Sequence, residues 1–471
     1  MVAEKKAVNF TEGKLFFKIV WFVLPIVATN LLQTLYNAAD MMVVSLSKES
    51  NAVGSIGMTG SFIALILNVF IGFSIGANVV VARGIGAGNK EKTQNAVHTS
   101  LIMALIFGTI GMLVGFLVSR PVLQWMGAEG NLLDLAVKYT YFYFAGVPFL
   151  ALTNYLIAIF RAKGDSKTPL IVLALAGLLN VVLNLMFVLI MGMSVEGVAL
   201  ATAIANVVSF AVLLIKLRKD DDFTKFSFRK LKISIKEMKE IVTVGVPAAI
   251  QGALFAFSNV LIQSSIVAVN NRLCPVGSEY QPIVNGSAAA GNLMGFVYTA
   301  MNAVYQGAIT FTSQNMGANK PERVKPIMYN CFVITSIIGL SFGLSVFFLR
   351  VPLLSLYGIV DGAEGSMEAL AMYAATTRLL YECVPYFLCG IMETCTGVLR
   401  GLGRSALSTV ISLIGACLLR VVWLWTVFPL FMTIESISIS YSITWLLTAS
   451  ISFTFIQIIV RDLVKRKRIS N

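Results

Sequence analysis

Polar residues in this chain are confined to short gaps, and long apolar runs fill the intervals between them. A lipid-spanning helix needs about 20 consecutive apolar residues. Twelve runs meet that length, at about 15–46, 55–81, 94–118, 135–160, 169–192, 195–217, 240–268, 286–312, 327–349, 371–398, 405–430 and 436–460. The pattern predicts an all-α polytopic membrane protein. Met1–Lys14 is polar and the first run is too long for a signal core, so no cleavable leader is expected.

Composition agrees with the pattern. Of 471 residues, 57% are hydrophobic and 13% charged, and the mean hydropathy is +0.82. A soluble domain would be about a quarter charged. The net charge of +13 would suggest a nucleic-acid partner, but its placement explains it better. With both termini inside, 29 of the 36 Lys and Arg residues fall in inner segments and five in outer ones. That asymmetry is the signature of membrane orientation, and no nucleic-acid partner is expected. The basic tail Lys465–Arg468 suits a stop-transfer flank or anionic inner-leaflet lipid. Six cysteines without paired spacing make no disulfide framework, and His98, the single histidine, argues against a histidine-based metal site.

The chain also repeats. The charged loop 218–239 separates six runs from six, giving a first lobe at 1–217 and a second at 240–471. LPIVATNLLQTLYNAAD (24–40) matches VPAAIQGALFAFSNVLI (246–262), GIGAGNKEK (84–92) matches NMGANKPER (315–323), and VPFLALTNYLIAIFRAKGDSKT (147–168) matches VPYFLCGIMETCTGVLRGLGRSA (384–406). Pro25, Pro148, Pro247 and Pro385 fall at aligned positions and predict kinks or hinges. Three matches in one order predict two pseudo-symmetric six-helix lobes, an architecture common in secondary transporters. GIGAGNK lacks the GxxxxGK[ST] spacing of a phosphate loop and reads as a tight inner turn. Asp220–Asp222 read as solvated linker rather than a metal site.

One carboxylate in the first run breaks the apolar pattern. Asp40 in lipid costs roughly 2.5–3.5 kcal/mol or more. The fixed cations within the spans, Arg378 and Arg420, both lie in the second half. Asp40 is therefore neutralised by a proton, by a bound cation or by cavity water, unless it only reaches the outer interface as a helix-end residue.

At this point the sequence resembles the MATE (multidrug and toxic compound extrusion) transporters over about residues 14–460. The resemblance rests on Asp40 preceded by Pro25, the GAGNKEK and GANKPER loops, FRAKGDSKTP, LRGLGRS, and NVVLNLMFV followed by EGVALATAIA. It implies two six-helix lobes enclosing a cavity, and export of amphipathic, often cationic compounds driven by Na⁺ or H⁺. It implies a coupling-cation site at Asp40, Asn180, Asn184 and Thr202. Asn184 departs from the family, which often has Asp there, and no carboxylate stands near Gln251–Ser258, where some members have Glu.

Depth estimates support the grouping. Asp40 lies eight residues before Lys48, about 12 Å from the outer end. Asn184 lies 17 residues after Lys167, about 26 Å up from the inner end. Thr202 lies six residues after Glu196, about 9 Å below the outer turn. Asn180 and Asn184, at i and i+4, share a face. A single carboxylate leans towards H⁺, or towards weak Na⁺ binding at Asp40, with no other metal and no cofactor expected.

Further polar residues are candidates for a substrate cavity: Gln33, Asn37 and Asn154 in the first half, and Glu382, Glu393 and Arg420 in the second. Arg378 and Glu382, at i and i+4, can simply pair. Glu393, about 10 Å from the inner end, faces the cavity or pairs with Arg420.

The expected function is a cation-coupled multidrug antiporter in the cell membrane, not an enzyme. Both termini are cytoplasmic, and the partners are a small amphipathic substrate and membrane lipid, with the chain acting as a monomer. The alternative is a flippase for lipid-linked or polysaccharide precursors, which would want a more cationic cavity. A membrane-embedded prenyl transferase would need paired Asp-rich inner loops, which are absent.

Overall fold

A computed structural model of the protein describes residues 10–47, 49, 51–274 and 280–470. Residues 1–9 and Lys48, used above for charge placement and for the depth of Asp40, lie outside the described residues.

Helix occupies every range that the apolar pattern marks. In order the elements are α1 (Leu15–Ser45), α2 (Ala52–Gly86), α3 (Lys90–Trp125), α4 (Gly130–Ala162), α5 (Lys167–Leu185), α6 (Val195–Lys219), α7 (Ile235–Leu273) and α8 (Pro282–Gly317). They continue with α9 (Val324–Phe348), α10 (Arg350–Ser355), α11 (Met367–Arg378), α12 (Phe387–Gly401), α13 (Ser405–Ser412), α14 (Leu419–Thr426), α15 (Phe428–Phe431) and α16 (Ile434–Ser470). Three stretches widen to π-helix, at Met186–Ile190, Leu379–Cys383 and Leu413–Leu418. Among the described residues, nine helical stretches are long and apolar enough to cross a membrane. The other expected spans, α7, α8 and α11–α12, are helical but carry interspersed amides and hydroxyls such as Gln251, Asn302 and Thr394. Of the four aligned prolines, Pro385 breaks its helix (φ −82°, ψ 15°), whereas Pro25, Pro148 and Pro247 sit inside continuous helices.

The chain forms two compact units. The first is built from Leu24–Gly252 with the short pieces 10–13 and Ser313–Asn319. Its centre is α4, which packs against α2, α3 and α6. Small residues allow the close crossings: Gly108 lies against the backbone of Pro148, and Gly146 against Ala203. A methyl at either glycine would stand 2.7–2.8 Å from its neighbour, so only glycine fits. Tyr155, Phe160 and Leu213 fill the core beneath. The second unit comprises Lys14–Val23, Ala253–Thr312 and the chain from Lys320 onward. In it α12 packs on α9 and α16, with Met392, Ala416 and Trp445 buried together.

The boundary at 218–239 is therefore not where the fold divides. Residues 218–252 belong with the first unit, because the segment after α6 packs into that unit's core. Phe226 is 4% exposed and joins the cluster that contains Val97, Leu217 and Ile241. Its ring lies 5.2 Å from His98, whose Nε2 stands 3.1 Å from the Ser227 carbonyl while Nδ1 stands 2.7 Å from that of Gln94. The expected solvated acidic linker is likewise corrected. Lys163 is buried and pairs with Asp220 and, at 3.3 Å, with Asp222. Asp221 alone is open, and Lys225 at 2.7 Å holds its carboxyl below the usual range. No group of three His, Cys, Asp or Glu able to hold a metal occurs among the described residues.

GIGAGNK forms a turn between α2 and α3. Gly88 takes φ +64°, and its repeat mate Asn319 takes φ +55°, so the two copies turn by the same left-handed step. The helix ends they terminate also touch. A methyl on Gly86 would strike the Gln314 carbonyl, and one on Gly317 would strike the Arg83 carbonyl.

Candidate functional site

Asp40 lies near the C-terminal end of α1, which closes at Ser45, and Tyr36, one turn earlier, sets its register. The Tyr36 hydroxyl donates to the Ala174 carbonyl of α5 at 3.0 Å, and the ring lies over Gly177, where no β-carbon would fit. One turn further along both helices the polar cluster begins. Asn184 is fully buried and donates from Nδ2 to Asp40 Oδ1 at 2.5 Å. Asn180 is 5% exposed. With its amide oriented to satisfy both ends, it donates to the same Oδ1 at 2.9 Å and accepts from the Thr202 amide at 3.2 Å. The Thr202 hydroxyl donates a hydrogen bond to the Val198 carbonyl at 3.0 Å. The structure thus brings Asp40, Asn180, Asn184 and Thr202 together on three helices. Immediately after Asn184, α5 widens into its π-helical turn at Met186–Ile190.

Two features bear on ion chemistry. Asp40 has no ion-pair partner among the described residues. Asn184 Oδ1 is buried without a hydrogen-bond partner, a carbonyl oxygen of the kind that hard cations take as a ligand, while its Nδ2 faces the carboxylate. Tyr139 and Tyr143 of α4, whose rings stack 6.0 Å apart, lie within electrostatic reach of Asp40. Sequence reasoning did not single out these tyrosines or Tyr36. Their i, i+4 spacing on α4, at the depth of Asp40, was the available signal.

The other candidates are dispersed. Gln33 and Asn37 are exposed on α1 and share the Asp40 face at i, i+4 and i+7. Asn154 is half-buried and donates to its own helix at Leu150, 3.0 Å away. In the second unit, Glu382 takes a two-point bond from Arg378, Nε to Oε1 and Nη2 to Oε2, each at 2.9 Å, and Arg378 Nη1 reaches the Ser287 carbonyl. Arg420 lies 3.9 Å over the Tyr441 ring and donates to Thr444 at 3.1 Å. The alternative Glu393–Arg420 pair does not form among the described residues. Glu393 instead feels Arg400, Tyr298 and Tyr305, and Arg400 bonds the Tyr305 hydroxyl.

Comparison with known proteins bears on the family and the fold. The MatE family model matches residues 25–186 and 252–426. Relatives include the "Probable multidrug resistance protein YoeA" of Bacillus subtilis (strain 168), 26% identical over 403 residues, or 83% of this chain and 82% of that protein. "Multidrug export protein MepA" of Staphylococcus aureus (strain MRSA252) is 23% identical over 393 residues, covering 83% and 84%. A solved structure described as the outward-facing conformation of a multidrug resistance MATE family transporter aligns with TM-score 0.87 at 22% identity, covering 98% of this chain and 99% of that one. A transporter from Pyrococcus furiosus, described as having a binding pocket of reverse polarity, aligns with TM-score 0.88 at 21% identity, covering 98% and 99%. The fold, the repeat and the two matched segments lead to one conclusion: the chain belongs to the MatE family, whose members are membrane transporters and not enzymes.

Proposed function

We propose that this protein is a proton-coupled multidrug antiporter of the cell membrane, with both termini cytoplasmic. It exports amphipathic, cationic compounds by exposing its sites alternately to the two sides. The names of its relatives support multidrug export. The observation that carries the coupling is Asp40: a carboxylate on a lipid-spanning helix, bonded by neutral amides and paired with no fixed cation among the described residues. Such a group has to be neutralised by something that comes and goes. Both asparagines present N–H groups to the carboxylate, an arrangement that a proton completes without rearrangement. Sodium would require the amides to turn their oxygens inward, with the orphan Asn184 Oδ1 as a first ligand. Loading Asp40 converts charge-assisted bonds to neutral ones of roughly half the strength. This loosens α1 from α5 and lets ion occupancy bias conformation. The chain binds no cofactor in this scheme and acts as a monomer.

A flippase for anionic lipid-linked cargo would need open cations inside the spans. Arg378 and Arg420 are instead engaged by Glu382, Tyr441 and Thr444. The test is a proteoliposome assay of cationic-dye efflux under separately imposed H⁺ and Na⁺ gradients. Dye moves with the H⁺ gradient in the wild type and at the level of protein-free liposomes in Asp40→Asn. Efflux that ignores both gradients, or that Asp40→Asn leaves intact, overturns the proposal.

A further inference from the structure

The last helix is longer than a membrane requires. α16 has 37 residues, about 55 Å of helix, against a hydrocarbon core of about 30 Å. Its apolar run ends near residue 460, so the final turns leave the hydrocarbon. At that exit Arg461, Lys465 and Arg468 stand at i, i+4 and i+7 on one face. They line a hollow of about 420 Å³ that also contains Lys325, from the first turn of α9. Val460 and Val464 form its apolar wall. Glu322 faces the hollow too, but Lys467 neutralises it at 3.1 Å. None of the four lining cations is paired with an acid among the described residues.

We propose that this hollow holds the phosphate headgroup of an anionic membrane phospholipid. Two guanidinium groups can grip phosphate oxygens in pairs, and two ammonium groups add point charge. The height matters as much as the charge. Val460 and Arg461 mark the hydrocarbon boundary, where a lipid phosphate sits, and the valine wall lets the acyl chains run back along α16. A soluble phosphate would use the same cations but gain nothing from that wall. Cations near a membrane surface each strengthen anionic lipid binding by about fivefold.

Native mass spectrometry of the full chain in detergent, titrated with phosphatidylglycerol, phosphatidylcholine and inorganic phosphate, tests the site. Phosphatidylglycerol is expected to be retained over phosphatidylcholine. Lys465→Gln with Arg468→Gln should lower that retention by on the order of tenfold or more. Lys325→Gln, on the other helix, should lower it independently. Arg466→Gln removes the same charge from the same turn outside the hollow and should leave retention unchanged. An equal loss per charge removed in Arg466→Gln and in the hollow variants would mean diffuse attraction and overturn the site. So would equal retention of the two lipids. Inorganic phosphate binding as tightly as phosphatidylglycerol would overturn the lipid as its occupant.

Discussion

Asn184 sets the charge of the cluster around Asp40. Its amide gives one N–H to the carboxylate and leaves its own oxygen without a partner. Asn184→Asp replaces that donor with a second acid, and a pair of adjacent carboxylates that shares one proton still carries one negative charge. The expected outcome is dye efflux that becomes responsive to Na⁺ while losing part of its H⁺ response, read in the same proteoliposomes. The buried pair of Arg378 and Glu382 makes the opposite kind of prediction. Removing one partner, as in Glu382→Gln, leaves a charge uncompensated and costs about 3–5 kcal/mol. The double variant Arg378→Met with Glu382→Leu should melt higher in detergent than either single variant. A double variant that melts no higher would show that the two residues act apart. Much at this scale was legible: Asp40 stood out as an acid in an apolar run, and counting residues from three different loops brought Asn184 and Thr202 to its level. Tyr36, Tyr139 and Tyr143 were not, because an aromatic ring at helical spacing reads equally as packing until its hydroxyl has a partner.

At the scale of elements, the contact of α1 with α5 places the cluster. Tyr36 bonds Ala174 and lies over Gly177, which fixes the register one turn before Asp40 meets Asn184. Gly177→Ala puts a methyl into that ring and forces α1 away. The overpacking costs about 1–3 kcal/mol. Ion-driven efflux should fall more than the drop in melting temperature explains, since the displaced helix carries Asp40. Gly177→Ala with full efflux would show that this register is not needed. The segment after α6 teaches a related lesson. In sequence it is a run of charges and reads as a solvated linker. Its partners, Lys163 at the end of α4 and His98 on α3, lie more than fifty residues away, and no local pattern announces a contact made at that separation. His98→Ala removes the carbonyl contact to Ser227 and the packing under Phe226. It should increase protease cutting between 220 and 234 without changing the dependence of efflux on the ion.

At the scale of the whole molecule, the repeat was legible because symmetry leaves the same residues at the same turns, and Gly88 and Asn319 turn with the same sign of φ. The division into units was not, because chain order and spatial grouping part company at Lys14–Val23, at 218–252 and at Ser313–Asn319. One feature of the site reaches beyond both. With Asp40 as its single carboxylate and asparagines around it, the empty cluster carries one negative charge, and one monovalent cation brings it to zero. Exchanging one proton for one singly charged drug then transfers no net charge. A full charge crossing the membrane would draw about 2.3 kcal/mol from each 100 mV. Here that contribution vanishes, so efflux of a monovalent dye should be unaffected by a valinomycin-imposed potassium potential. Asn184→Asp, with a second negative charge to carry, should become sensitive to voltage.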